Sequence, residues 1–261
     1  MRLNDKLALI TGGGRGIGRA IALEFAREGA QIALAARSAD QVGQVAKETA
    51  ELSENARPLG LVCDVSDASS VEKMFAEIAA AFGHGPDILV NNAGIAESAP
   101  LLKTDDELWH RILAVNLSGA FYCMRAALPS MLDRGWGRII NIASIAGKTG
   151  APYIAAYSAS KHGLLGLTRS VALEVAAKGI TVNAICPGYV DTAMTARGIE
   201  NITNKTGRSA DEALDAIKRM NPQNRLVTAE EVSALALLLA SAEGGAITGQ
   251  AINVDGGSVL F

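Results

Sequence analysis

Cysteine is scarce in this 261-residue chain. Cys63, Cys123 and Cys186 each sit in an apolar run, an odd set without close spacing. That excludes a disulfide-stapled scaffold and points to buried thiols in a reducing compartment, so the expected location is cytoplasmic. Histidine is equally rare: His84, His110 and His162 show no metal-ligand spacing, and no metal site is expected. A basic excess is missing too. Lys and Arg number 24 against 27 Asp and Glu, a net charge of −3 that argues against nucleic acid or an anionic membrane as partner. No apolar run reaches membrane-spanning length without interruption, and residues 1–6 lack a signal-peptide core. Aromatics make up only 4% of residues, whereas glycine alone contributes 27, and small residues let helices approach a sheet closely.

What is present is a globular composition, 49% hydrophobic and 20% charged. A chain of this length can bury most of its apolar surface without staples. Apolar runs that read as strands fall at 6–10, 31–36, 58–63, 87–90, 137–143, 179–186 and 251–254. Helical spacing falls between them, at 19–28, 41–55, 68–82, 105–131, 155–177 and 228–240. Strict alternation predicts an α/β fold with a doubly wound parallel sheet. No linker, repeat or low-complexity tract appears, so residues 1–261 are expected to form one domain. From 193 to 227 the pattern breaks, with only 211–220 helical. An ordinary αβ loop runs about 2–6 residues, so this stretch reads as a substrate lid.

In such a sheet, ligands bind beyond the carboxyl ends of the strands. The first strand ends in Thr11-Gly12-Gly13-Gly14-Arg15-Gly16-Ile17-Gly18. Neither the Gly-x-Gly-x-x-Gly fingerprint nor a P-loop is met, since Arg19 stands where each needs another residue. What remains, Gly12-x-x-x-Gly16-x-Gly18, still lets a phosphate reach helix N-terminal amides. The second strand ends at Ala36, followed by Arg37 and Ser38, where an acidic residue would bind a ribose 2′-OH. An arginine there suits a 2′-phosphate, and Arg15 could close on the same group. Together they favour NADP(H) over NAD(H). Asp64 and Asn91 end the third and fourth strands.

Ser144 ends the fifth strand; Tyr157 follows thirteen residues later and Lys161 four after that. On a helix, Tyr157 and Lys161 share one face. An ammonium one turn away is expected to lower the tyrosine pKa, and a serine hydroxyl can bond the reacting oxygen as its charge changes. Asn116, amid apolar residues, is expected to be buried and hydrogen-bonded.

These motifs in this order resemble the short-chain dehydrogenase/reductase family over essentially the whole chain. The carriers are Thr-Gly-x-x-x-Gly-x-Gly at 11–18, Asn-Asn-Ala-Gly at 91–94, Asn116, Ser144, Tyr-x-x-x-Lys at 157–161, Pro-Gly at 187–188 and Thr192. The resemblance implies a Rossmann-like sheet of seven parallel strands and an oxidoreductase that moves hydride between a nicotinamide and a ketone or secondary alcohol. Tyr157 becomes the acid/base and Lys161 its pKa-lowering partner and ribose ligand. Ser144 orients the substrate oxygen, and Asn116 holds a relay water. Ile17, Asp64, Val65, Asn91, Ala93, Gly94, Pro187, Gly188, Val190 and Thr192 become cofactor contacts. Relatives commonly form homotetramers. The stretches 155–163 and 183–188 are most similar to 3-oxoacyl-thioester reductases of the fatty-acid and type II polyketide kinds. A dehydrogenase of small, cyclic or steroid-like alcohols is the alternative, and a non-catalytic nicotinamide sensor a third. Between 193 and 225, six basic residues (Arg197, Lys205, Arg208, Lys218, Arg219, Arg225) face four acidic ones (Glu200, Asp211, Glu212, Asp215). That +2 lid would attract a substrate carried on CoA or acyl carrier protein.

Overall fold

The computed structural model describes residues 1–52 and 57–261. Seven strands pair in parallel in the order β3-β2-β1-β4-β5-β6-β7. They are β1 Leu7–Thr11, β2 Gln31–Ala36, β3 Leu59–Val62, β4 Ile88–Asn91, β5 Gly137–Ile142, β6 Ile180–Pro187 and β7 Ala251–Val254. Side chains alternate across the sheet, so each strand feeds two cores. Leu7 and Leu9 point into one, beneath α3 (Ala68–Phe82), α5 (Gly119–Arg134) and α6 (Ala155–Val175). Ala8 and Ile10 point into the other, beneath α1 (Gly16–Arg27), α2 (Ala39–Ala50) and α9 (Ala229–Ala240). Burial on both faces explains why the strands read as continuous apolar runs.

Three expected helices are redrawn. The helix expected at 41–55 ends at Ala50, and residues 53–55 lie outside the described residues. The stretch expected at 105–131 is α4 (Asp106–Leu113) and α5, joined by a π-helical turn, Ala114–Ser118. By length and composition this 29-residue run, Asp106–Arg134, could cross a membrane; here Cys123, Met124, Ala127 and Met131 bury it against the sheet. The segment 193–227 holds not one helix but two, α7 (Ala193–Thr206) and α8 (Ala210–Lys218). Of α7 only Thr195 is fully buried; Ile199 and Ile202 continue its face half-buried, a stripe too short and too diluted by polar residues to mark the helix in the sequence.

Candidate active site

Strand order reverses between β1 and β4, and the crevice beyond their carboxyl ends is where this fold binds ligands. Thr11, buried at the end of β1, ties the two together: its hydroxyl donates to Val90 O (3.3 Å) and accepts from the amides of Asn92 and Ala93 (3.1 Å each). Asn92 Nδ2 donates back to Thr11 O (2.9 Å) and Gly12 O (3.0 Å). Gly12 must be glycine: its φ is +63° and a Cβ would stand 2.9 Å from Ala93 Cα. At Gly16, φ is +53°, and the loop comes up against Thr192 beyond β6. Arg15 precedes α1 without capping it, and no acidic residue occupies the first turn. The opening amides of α1 therefore face an anion-ready space. Arg37 is exposed just past β2, and among the described residues neither it nor Arg15 is ion-paired.

Other cofactor candidates lie along the same edge. Asp64 Oδ1 accepts from the amide and hydroxyl of Ser66 (3.0 and 2.6 Å), and Val65 is buried against Gly119. The Asn91 side chain turns inward: Nδ2 donates to Asn141 Oδ1 (2.8 Å) while Oδ1 is buried without a partner. Gly94 lies close to both Asn116 and Lys161. Gly188 N donates to Val254 O (3.0 Å), and Val190 O accepts from Thr195 (2.6 Å) and Thr192 (3.4 Å).

The catalytic candidates converge at the end of β5. Ser144 Oγ accepts from Ala146 N (3.1 Å), which starts a short 3-10 turn, and Ser144 also hydrogen-bonds the Tyr157 hydroxyl. Asn116 sits in the π-turn with its side chain saturated by protein: Oδ1 accepts from Ile95 N (2.9 Å), and Nδ2 donates to Ile95 O (2.9 Å) and Ser160 Oγ (3.1 Å). Any relay water at Asn116 must therefore use its main-chain carbonyl or the second lone pair of Oδ1. Ser160 donates to Tyr157 O (2.7 Å), coupling Asn116 to the catalytic helix. Sequence reasoning passed over Ser160; its signal was its place on the Tyr-x-x-x-Lys turn, one residue ahead of Lys161. Cys186, a buried thiol that burial keeps protonated, also lies near Tyr157 and Lys161.

One electrostatic expectation is corrected. Burial pushes the Tyr157 phenol above its ordinary value; the Ser144 hydrogen bond opposes this, and Tyr189 and Cys186 add to it. Lys161 is not among the groups that lower it. Its Nζ lies 5.8 Å from the ring centroid and donates to Ile142 O (2.8 Å). Burial weakens the ammonium itself, holding Lys161 at about 8 against 10.5 when free. Tyr157 is thus a protonated phenol at neutral pH, ready to donate.

The Lys161 shift has a measurable consequence. Between the folded and unfolded pKa values, about 8 and 10.5, the unfolded chain holds a proton that the folded one has released. Stability then rises with pH across that window. From pH 8 to 10, denaturant unfolding of the wild type should gain about 2 kcal/mol relative to Lys161→Met. Titrations of groups that do not sense Lys161 occur in both proteins and cancel in the difference; the Cys186 thiol, which does, is removed by making the comparison in a Cys186→Ala background. Parallel pH profiles for the two would refute the buried, weakened ammonium.

Glycines that no Cβ could replace and helix amides without a side-chain cap fit a dinucleotide at the crevice between β1 and β4. When bound, its nicotinamide supplies or accepts the hydride. In reduction, a carbonyl oxygen placed between Ser144 Oγ and Tyr157 Oη would be held by both hydroxyls and would receive the Tyr157 proton. Lys161, anchored by Ile142 O, fixes one wall. This is an α/β oxidoreductase that interconverts hydroxyl and keto groups with a nicotinamide cofactor.

Residues 12–258 match the family described as Enoyl-(Acyl carrier protein) reductase, and the chain belongs to the short-chain dehydrogenase/reductase family. It is 43% identical over 254 residues to D-beta-hydroxybutyrate dehydrogenase of Rhizobium meliloti, covering 97% of this chain and 98% of the relative. It is 40% identical over 258 residues to 3-oxoacyl-(acyl-carrier-protein) reductase of Haemophilus influenzae, covering 99% and 100%. Actinorhodin polyketide ketoreductase, solved with NADPH, superposes with a TM-score of 0.93 at 38% identity, covering 98% of each chain.

Proposed function

We propose that the enzyme is an NADPH-linked, cytoplasmic reductase of 3-oxoacyl thioesters. The observation that carries the reading is the meeting of the Ser144 and Tyr157 hydroxyls at the end of β5, with buried Lys161 one helical turn beyond Tyr157. Gly12, Arg15, Gly16, Ile17, Gly18, Asp64, Val65, Ala93, Gly94, Pro187, Gly188, Val190 and Thr192 would hold the cofactor; Asn91, its side chain committed to Asn141, would contribute backbone only. Arg37, just past β2, and Arg15, at the start of α1, support the 2′-phosphate form, because each is exposed and, among the described residues, not ion-paired. The 40%-identical 3-oxoacyl-(acyl-carrier-protein) reductase supports carrier-bound substrates by its own name. The lid's field supports it less than its composition implied. Arg225 is neutralised by a two-pronged pair with Glu231 (2.8 and 2.6 Å), whose carboxyl is held down at about 2. The 43%-identical hydroxybutyrate dehydrogenase favours a second reading, oxidation of a small 3-hydroxy acid. Exposed Trp109, Phe121 and Leu173 on α4, α5 and α6 are consistent with a homotetramer, which light scattering would register as roughly four chain masses.

Two measurements test the reading. NADPH oxidation should proceed with acetoacetyl-CoA; turnover confined to acetoacetate would favour the second reading, and none with any ketone would leave only a sensor. Arg37→Ala should weaken NADPH binding by about 10–100-fold, the worth of a charge-assisted bond, and leave NADH unchanged. Equal loss for both cofactors would remove Arg37 from the 2′-phosphate.

A further inference from the structure

Among the described residues, three non-glycines have positive φ: Asp5 at 61°, Asn224 at 55° and Tyr153 at 68°. Short polar Asp and Asn tolerate that region, whereas a bulky aromatic there is an outlier. Strain of this kind persists where surrounding structure enforces it, and it clusters at functional sites. The enforcing contact is visible: Tyr153 O accepts from Ala99 N (2.8 Å). Ala99 belongs to the loop that starts at Ile95, whose amide and carbonyl are both held by Asn116. The neighbouring Ser98 O accepts from Lys205 Nζ on α7 (3.1 Å). Three segments, from β4, β5 and α7, are thereby tied at one side of the catalytic cleft.

The side chains at this junction are unlike the rest of the surface. Tyr153 is 65% exposed, and Leu101 and Leu102, just past Ala99, are 73% and 100% exposed. Tyr189 and Met194, on the segment leading into α7, are also exposed. These five exposed apolar side chains stand on the segments that follow β4, β5 and β6, at the carboxyl ends where the cleft opens. A glycine at 153 would satisfy the backbone without strain. The chain instead places an aromatic ring there, four residues ahead of Tyr157.

We propose that Tyr153 is a specificity-determining residue whose ring receives the apolar body of the substrate beyond the reacting ketone. The substrate class is then ketones carrying a ring or an extended apolar chain, favoured over small ones. A tyrosine suits the task, because its ring is a rigid apolar surface with a polar edge that can remain in water. The inference rests on the reductase reading above.

The test compares Tyr153→Gly with Tyr153→Phe and the wild type, using NADPH and two ketones, bicyclic 2-tetralone and small ethyl acetoacetate. In Tyr153→Gly, KM for 2-tetralone should rise about 10-fold, while KM for ethyl acetoacetate stays within about two-fold. Tyr153→Phe should keep the wild-type KM for both. Release of strain should also raise the Tm of Tyr153→Gly by about 1–4 °C, after the added freedom of the unfolded chain is offset. An unchanged KM for 2-tetralone, or equal rises for both ketones, would overturn the assignment. A fall in Tm would overturn the strain argument. Wild-type protein that reduces neither ketone would sink the reductase reading itself, and the inference with it.

Discussion

Tyr157→Phe will lower kcat for ketone reduction by about 10²–10⁴-fold while leaving NADPH affinity nearly unchanged. The substitution removes one oxygen and its proton and keeps the ring. No neighbour can stand in for it. Ser144 Oγ still has a proton to offer, but an alcohol is a far weaker acid than a phenol, and Lys161 Nζ is anchored on Ile142 O. The pH dependence follows from the same group. Because burial raises the phenol pKa, reduction should be flat through neutral pH and fall only in the alkaline range. Alcohol oxidation needs the phenolate and should climb with pH over that range. Steady-state kinetics in both directions, with cofactor Kd from fluorescence titration, would decide it. A Phe variant within about ten-fold of wild-type kcat would end the assignment of Tyr157 as the acid.

The sequence carried most of this site because strand ends are legible. Apolar runs stop where polar or glycine residues begin, and the topology of a parallel sheet brings those stops to one edge. Gly12, Asp64, Asn91 and Ser144 could be placed in that way before any geometry was known. The direction of a side chain could not. Asn91 was assigned to the cofactor by position, yet its amide is spent on Asn141 inside the core. Helix spacing put Tyr157 and Lys161 on one face, but whether the ammonium approaches the hydroxyl depends on rotamers, and Lys161 takes the Ile142 carbonyl instead. Helix α7 escaped because its face, Thr195, Ile199 and Ile202, holds only two large apolar side chains among polar neighbours. The π-turn at Asn116 escaped because a single wide turn does not disturb the apolar pattern on either side of it. The strain at Tyr153 lies in a backbone angle, for which composition holds no signal.

Gly18→Ala will destabilise the protein by about 2–3 kcal/mol, lower Tm by roughly 4–12 °C and weaken NADPH binding by at least about ten-fold. The expectation runs against helix propensity, since Gly18 lies in the first turn of α1 and alanine is favoured over glycine in a helix by about 1 kcal/mol. Packing reverses the sign. An added Cβ would collide with Gly12 O and approach Asn92 Nδ2 to 2.5 Å. Neither obstacle is the free end of a flexible side chain. Gly12 O is backbone, and Asn92 Nδ2 is fixed by bonds to Thr11 O and Gly12 O. Relief therefore requires the glycine loop to move away from α1, which takes the amides that would face the pyrophosphate out of register. The same substitution at Gly43 in α2 meets nothing within 4 Å and should instead stabilise by up to about 1 kcal/mol. Thermal melts of the two variants, with and without NADPH, separate propensity from packing. If Gly18→Ala melts at or above the wild type and keeps its NADPH-induced shift in Tm, the close approach of α1 to the loop is not what shapes the cofactor cradle.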